Sequence, residues 1–370
     1  MTLLDGITSR ILDTDRLRVS ILERVGDDPS ARADQTVVLV HGNVSSSLFW
    51  QELMQDLPSD LRVIAVDLRG FGETESAPVD ATRGVRDFSD DLFATLQALE
   101  LPTAHLVGWS MGGGVVMQYA IDHPALSLTL QAPVSPFGFG GTRRDGSRLT
   151  DDDAGCGGGG ANPDFVERLT DRDTTDESPT SPRSVFRTAY VSPDYTSEHE
   201  DLWVESMNTT STATGNYPGD GASSENWPGF AAGTIGVLNT MAPRYFDTSG
   251  IVALSPKPPI LWVRGSADAI VSDASFFDIN HLGALGAIPG WPGAEIAPAQ
   301  EMVSQTRDVF DAYRAAGGSV TEVVFEGVGH APHLERPAAF RRALLENIGY
   351  IGRPADPAPP TEAIILSSSD

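Results

Sequence analysis

The chain repeatedly places an unbroken aliphatic run ahead of an amphipathic stretch, and few folds satisfy that order. Val37-Val38-Leu39-Val40 has no polar alternation. A strand covered on both faces reads this way, and that is the situation of a parallel sheet. Strand character is found at residues 17–25, 36–40, 62–66, 104–108 and 126–131, and helical character at 48–57, 85–99 and 111–122. This alternation predicts an α/β fold with a mostly parallel sheet flanked by helices. At 370 residues the chain suits one large domain with an insertion, or two domains.

The pattern breaks after Gln131. Residues 133–258 are rich in Gly, Pro, Ser, Thr and acid, and the run Gly157-Gly158-Gly159-Gly160 predicts a mobile loop. Short helices are expected within 163–170, 183–190 and 198–207. Strand character returns at 260–264 and 320–325. Between these lie a Gly/Pro loop at 282–298 and a helix near 301–316, and a last helix is expected at 338–348. The domain reading is therefore a core of residues 1–132 and 259–352, interrupted by an insertion at 133–258. A Pro-rich tail, 353–370, is either flexible or docks on a partner subunit, which allows a homo-oligomer. An insertion between late strands of an open sheet lies over the carboxyl ends of the strands, where ligands bind in such folds, so it reads as a cap or lid.

Charge narrows the range of partners. Fifty-one acidic residues against twenty-five basic ones give a net charge of −26. Such a surface repels nucleic acid and anionic membranes. No apolar run approaches the ~18 residues of a membrane span. Residues 1–10 lack the basic-then-apolar order of a secretory signal. The single cysteine, Cys156, excludes an intrachain disulfide and a multi-cysteine metal site. Together these point to a cytoplasmic location.

Four motifs carry chemistry. Gly108-Trp109-Ser110-Met111-Gly112 follows an apolar strand and opens a helical pattern. Glycines two before and two after a serine allow a sharp strand-to-helix turn that projects its hydroxyl, and the helix N-terminus favours negative charge there. His41-Gly42-Asn43 follows the strand at 36–40. The backbone N–H groups of Asn43 and Met111 are the candidates to hold a developing oxyanion, while His41 reads as a brace for the turn. Gly329-His330-Ala331-Pro332-His333 follows the strand at 320–325, where a base can reach Ser110. His330 takes that role and His333, the competitor, reads as packing. Asp268, four residues past the strand at 260–264, is the candidate to orient the base. Asp273 and Asp278 are alternatives, and no acid occurs between residues 126 and 144.

The order Ser110, Asp268, His330, with His41-Gly42, Asp67-Leu68-Arg69-Gly70-Phe71-Gly72, Gly265 to Asp268, and Gly329-His330 with Pro332, Glu335 and Pro337, resembles the α/β-hydrolases. The resemblance implies the α/β-hydrolase fold, with about eight strands and a cap inserted after the sixth. It also implies a serine nucleophile with an acyl-enzyme intermediate and no metal or organic cofactor. The run from His41 to Trp50 is similar to the oxyanion segment of haloalkane dehalogenases, whose nucleophile is an aspartate. Ser110 argues against that chemistry and against aspartate-dependent epoxide opening. The Asn43 side chain is placed to reach a substrate, and Asp67 to brace Arg69 or a loop. Trp109, Trp203, Trp227 and Phe230 are candidate substrate contacts, which suggests a large apolar ester or lactone, a macrolactone such as zearalenone being one example. Two other readings stay open: C–C bond hydrolysis or perhydrolysis on the same triad, and a non-enzymatic ligand-binding protein on this fold.

Overall fold

A computed structural model describes residues 1–24, 27 and 30–351; the 353–370 tail lies outside the described residues. Eight strands form one sheet in the order β1 (Ile7–Asp13), β2 (Arg18–Arg24), β4 (Arg62–Val66), β3 (Thr36–Val40), β5 (His105–Trp109), β6 (Ser127–Gln131), β9 (Ile260–Gly265) and β10 (Val320–Phe325). The pairs β1–β2 and β2–β4 are antiparallel, and every other neighbour in the sheet is parallel. β3, β4, β5 and β6 are buried along their whole length. The aliphatic runs of β3 and β4 suit strands covered on both faces, while in β6 the polar Ser127 and Gln131 are buried with partners in His105 and His333.

The helices that cover the sheet are α1 (Gln51–Asp56), α2 (Arg86–Ala98), α3 (Met111–Asp122), α8 (Met302–Ala315), α9 (Pro332–Glu335) and α10 (Pro337–Asn347). α3 packs on β5 and α2, while α10 packs on β6, β9 and α1. The sheet is therefore sandwiched, and the loops at the carboxyl ends of its parallel strands converge at one edge.

Between β6 and β9 the chain leaves the sheet. This stretch holds α4 (Pro163–Thr170), α5 (Pro182–Val185), a single π-helical turn (Phe186–Tyr190), α6 (Glu200–Met207) and a short hairpin of β7 (Gly221–Ser223) and β8 (Phe230–Ala232). α7 (Ile279–Ala284) follows β9. The insertion is fused to the core through aromatic packing: Trp203 on α6 stacks on Phe49 at 5.2 Å.

The expected mobile loop at 157–160 is instead an ordered, packed turn. The backbone N–H of Gly158 donates to Asn239 Oδ1 at 2.8 Å, and Gly160 N–H donates to Gly157 O at 3.1 Å. Gly157 has φ +80°, and a Cβ there would stand 2.9 Å from Ala232 Cα. The glycines serve close backbone approach, and the hydrogen bonds hold the turn. β1 was not expected from the sequence. It is an edge strand with only Ile7 and Leu12 buried, so it carries almost no apolar signal.

Candidate active site

Ser110 occupies the turn between β5 and α3. Its backbone has φ 57° and ψ −120°, a left-handed conformation that a non-glycine residue adopts only when its surroundings over-determine it. They do so here. Ser110 N–H donates to Gln131 O at 2.9 Å, and Ser110 O accepts from the N–H groups of Gly113 at 2.9 Å and Val134 at 3.0 Å. Two glycines make room for the turn. A Cβ on Gly112 would lie 2.3 Å from His41 O, and one on Gly42 would lie 2.9 Å from Ser110 Cβ. The glycine spacing of the sequence is thus the condition for the β3 and β5 loops to meet.

His330 and Asp268 come from the loops after β10 and β9. Those loops are laced together: Ser266 N–H donates to Phe325 O, and Ala267 N–H to Val328 O, each at 2.9 Å. His330 Nδ1 lies 2.8 Å from Asp268 Oδ2, and both side chains are almost fully buried. A carboxylate can only accept, so Nδ1 carries the proton and Nε2 of the neutral ring keeps its lone pair. Asp268 is itself fixed, because Oδ1 accepts from the N–H groups of Ile270 at 2.8 Å and Val271 at 3.0 Å. Trp109 Nε1–H donates to His330 O at 2.8 Å. Ser110 and His330 line the same cavity, and a serine–histidine pairing of this kind often tightens only when substrate binds.

Asn43 also lines this cavity, and its Oδ1 is buried without a hydrogen-bond partner among the described residues. Met111 is the first residue of α3, so its N–H has no partner within the helix. Tyr190, from the insertion, donates its hydroxyl to Asn43 O at 3.0 Å, with Val44 O 3.2 Å away.

The other titratable candidates have partners elsewhere. His41 Nε2 accepts from Leu68 N–H at 3.0 Å, and Nδ1 lies 2.8 Å from Gly42 O. Burial pushes it down to about 4. It is a neutral brace for the turn. His333 Nε2 donates to Phe49 O at 3.1 Å, which leaves Nδ1 to accept from Gln131 Nε2 at 2.8 Å. Burial holds it near 3. Asp273 accepts from Val303 and Ser304 at the start of α8, and Asp278 caps α7 and accepts from Gln300 N–H. Asp67 accepts from the N–H groups of Ser47 and Glu73, so it braces a loop rather than Arg69, whose guanidinium pairs with Asp91. Cys156 is buried and its thiol is pushed up by desolvation, which makes it a poor nucleophile.

The cavity has a volume of about 490 Å³. Its walls are Phe139, Phe165, Tyr190, Tyr217, Leu238 and Met241 from the insertion, with Ile270, Val271, Phe276 and Phe277 from the loop after β9. Among the described residues that line it there is no Arg, Lys, Asp or Glu. Of the four side chains expected to meet substrate, Trp109 lines the cavity and three do not. Trp203 is fully buried against Phe49. Trp227 is turned toward the α7 loop, where Nε1–H donates to Pro289 O at 2.8 Å. Phe230 packs over Gly159 and Gly160. These three are packing residues because an insertion this long must bury its own apolar surface. Tyr190 carries no local sequence signal for its place at the site loops, whereas Glu335 belongs to the run that begins at Gly329-His330 and accepts from Gly329 N–H.

Among the described residues no group of three His, Cys, Asp or Glu is placed to hold a metal ion, and no helix is long and apolar enough to cross a membrane.

Comparison with known proteins bears on the fold and the family. A 2-hydroxymuconate semialdehyde hydrolase of Pseudomonas sp. (strain CF600) is 38% identical over 91 residues, 24% of this chain and 32% of that protein. The chain spans about a third of the length of the curated relatives it matches. The carboxylesterase CesB of Bacillus subtilis superposes with a TM-score of 0.54 at 15% identity, covering 93% of each chain. The epoxide hydrolase CorEH superposes with a TM-score of 0.55 at 17% identity, covering 93% of this chain and 99% of that one. At such identities the superpositions establish the fold. The model of the alpha/beta hydrolase family matches residues 37–343, and the chain belongs to that family.

Proposed function

We propose that the protein is a serine hydrolase that cleaves a neutral, largely apolar ester or lactone through an acyl-enzyme. The observation that carries this reading is the strained Ser110 turn sharing one cavity with a His330 imidazole whose Nδ1 is bound to Asp268. His330 Nε2 takes the proton of Ser110 Oγ as the oxygen attacks the carbonyl carbon, and the carbonyl π electrons move onto oxygen. The N–H groups of Asn43 and Met111 hold that oxyanion. Collapse expels the alkoxide, which receives the proton from His330, and water repeats the sequence to free the acid. Asp268 keeps the imidazole in the productive tautomer and stabilises its charged form.

The lining supports the substrate class. A wall to which the described residues contribute no Arg, Lys, Asp or Glu gives no partner to an ionic substrate, whose desolvation would go uncompensated. A volume near 490 Å³ suits a drug-sized molecule. Phe276 and Phe277 line the cavity and are also exposed, at 58% and 44%, so they mark its mouth, with residues 133–258 acting as the cap. A second reading, C–C bond hydrolysis on the same three residues, draws on the partial likeness to the semialdehyde hydrolase. A fluorophosphonate probe tests the main reading. Its adduct is expected on the Ser110 peptide and lost in Ser110→Ala; labelling that persists in the variant overturns it. Parallel assays on p-nitrophenyl esters, a macrolactone and a vinylogous diketone separate the bond types.

A further inference from the structure

Tyr190, Val191 and Ser192 of the insertion touch both loops that the proposed chemistry needs. On one side the Tyr190 hydroxyl donates to Asn43 O at 3.0 Å and lies 3.2 Å from Val44 O. Val44 has φ 47°, a left-handed conformation that a β-branched residue resists. Two residues on, Ser192 N–H donates to Glu335 Oε2 at 2.9 Å, while Glu335 Oε1 accepts from Gly329 N–H at 2.8 Å. Gly329 immediately precedes His330, and it packs so closely on the insertion that a Cβ there would stand 2.8 Å from Val191 C. The Tyr190 ring also meets His330 edge-on at 6.1 Å and Trp109 at 5.7 Å. Tyr190 and Glu335 are buried, so water does not substitute freely for these bonds.

We infer that residues 190–192 form a strap that sets the oxyanion turn and the base loop in register, with Tyr190 and Glu335 as its positioning residues. The inference rests on the acyl-transfer reading above. The strap ties the placement of the insertion to the competence of the site. A carbonyl held by the Tyr190 hydroxyl fixes the Asn43–Val44 peptide plane and so restricts the rotation at Asn43 that would swing the preceding plane, whose N–H meets the oxyanion. A carboxylate shared between Ser192 and Gly329 fixes the backbone that carries the imidazole. Neither side chain takes part in bond making, so their effect belongs in turnover rather than in binding.

Tyr190→Phe removes one oxygen and keeps the ring in its aromatic cluster. On p-nitrophenyl butyrate, kcat is expected to fall roughly tenfold, the scale of one lost hydrogen bond, with KM unchanged within about twofold. Amide exchange in the peptide spanning 41–48 is expected to quicken. Glu335→Gln, which leaves one of the two N–H groups without an acceptor, is expected to lower kcat and quicken exchange at 326–332. The double variant is expected to lose less than the product of the two single losses, because the strap acts as a unit. Wild-type kcat and exchange in Tyr190→Phe, or strictly multiplicative losses, overturn the strap. Fluorophosphonate labelling of the parent protein reads the underlying proposal separately. An unlabelled Ser110 refutes the serine mechanism, whereas a labelled Ser110 with an unaffected Tyr190→Phe refutes only the strap.

Discussion

Acidification from pH 8 to pH 5 is expected to cost about 2 kcal/mol of folding stability through each of two buried histidines, His41 and His333. An unfolded histidine takes up its proton near pH 6.5, whereas His41 in the folded protein holds out to about 4 and His333 to about 3. Between those values the unfolded chain binds more protons, so stability rises with pH and is lost as pH falls. At pH 5 the unfolded imidazole is protonated about thirty to one, which corresponds to roughly 2 kcal/mol per site. The folded forms gain almost nothing at that pH. Asp67 and Asp278, raised by burial, act in the opposite sense, since the folded state takes up their protons first. Comparison with His333→Asn removes their contribution, because both proteins retain them. Urea unfolding followed by tryptophan fluorescence at pH 8 and pH 5 measures the difference. The variant should start less stable, having lost the Gln131 and Phe49 contacts, yet lose about 2 kcal/mol less than the parent on acidification. Equal losses in the two proteins would refute a neutral, buried His333.

Three further outcomes follow from the same geometry. Asp268→Asn, which takes the acceptor from His330 Nδ1–H, should lower kcat by roughly 10³–10⁴-fold while far-UV circular dichroism stays unchanged; a loss below tenfold would contradict the assigned role. Trp203→Ala empties a fully buried site against Phe49 and should cost about 3–5 kcal/mol in denaturant unfolding; a variant of parental stability with an altered acyl-chain preference would place Trp203 at the substrate instead. Phe277→Ala, at the exposed mouth of the cavity, should raise KM for bulky esters several-fold and leave stability within about 0.5 kcal/mol, as compared by steady-state kinetics and thermal melts.

The sheet was legible where burial forces a pattern. β3, β4 and β5 are covered on both faces and carry mostly apolar runs. β6 is legible from its leucines although Ser127, Thr129 and Gln131 alternate with them, and the bounds of all four differ from the expected ones by at most a residue or two. β1 escaped because an edge strand exposed on most of its residues needs no such pattern. Gly157 to Gly160 misled for a related reason: glycine marks mobility and tight packing alike, and only the neighbours, here Asn239 and Ala232, distinguish them. At the site, Ser110, Asp268 and His330 could be named because each sits just beyond a recognisable strand, and strand ends in a parallel sheet meet at one edge. The aromatic residues could not be sorted, since composition does not tell a cavity wall from the insertion's own packing. Trp203, Trp227 and Phe230 fell on the packing side, while Phe139, Phe165 and Tyr217 line the cavity. Tyr190 acts on Asn43 across 147 residues and Glu335 on Ser192 across 143, which no local pattern encodes, although Glu335 also meets Gly329 within its own motif.

Trapping the covalent intermediate puts the whole account to the test. Rapid acid quench of the protein with p-nitrophenyl butyrate, followed by peptide mass spectrometry, should find one butyryl group on the Ser110 peptide within the first turnover. It should be absent from Ser110→Ala and should accumulate in His330→Ala only to the extent that acylation outpaces deacylation. Turnover of the ester by Ser110→Ala at the parental rate, or an acyl group carried on another residue, would contradict it.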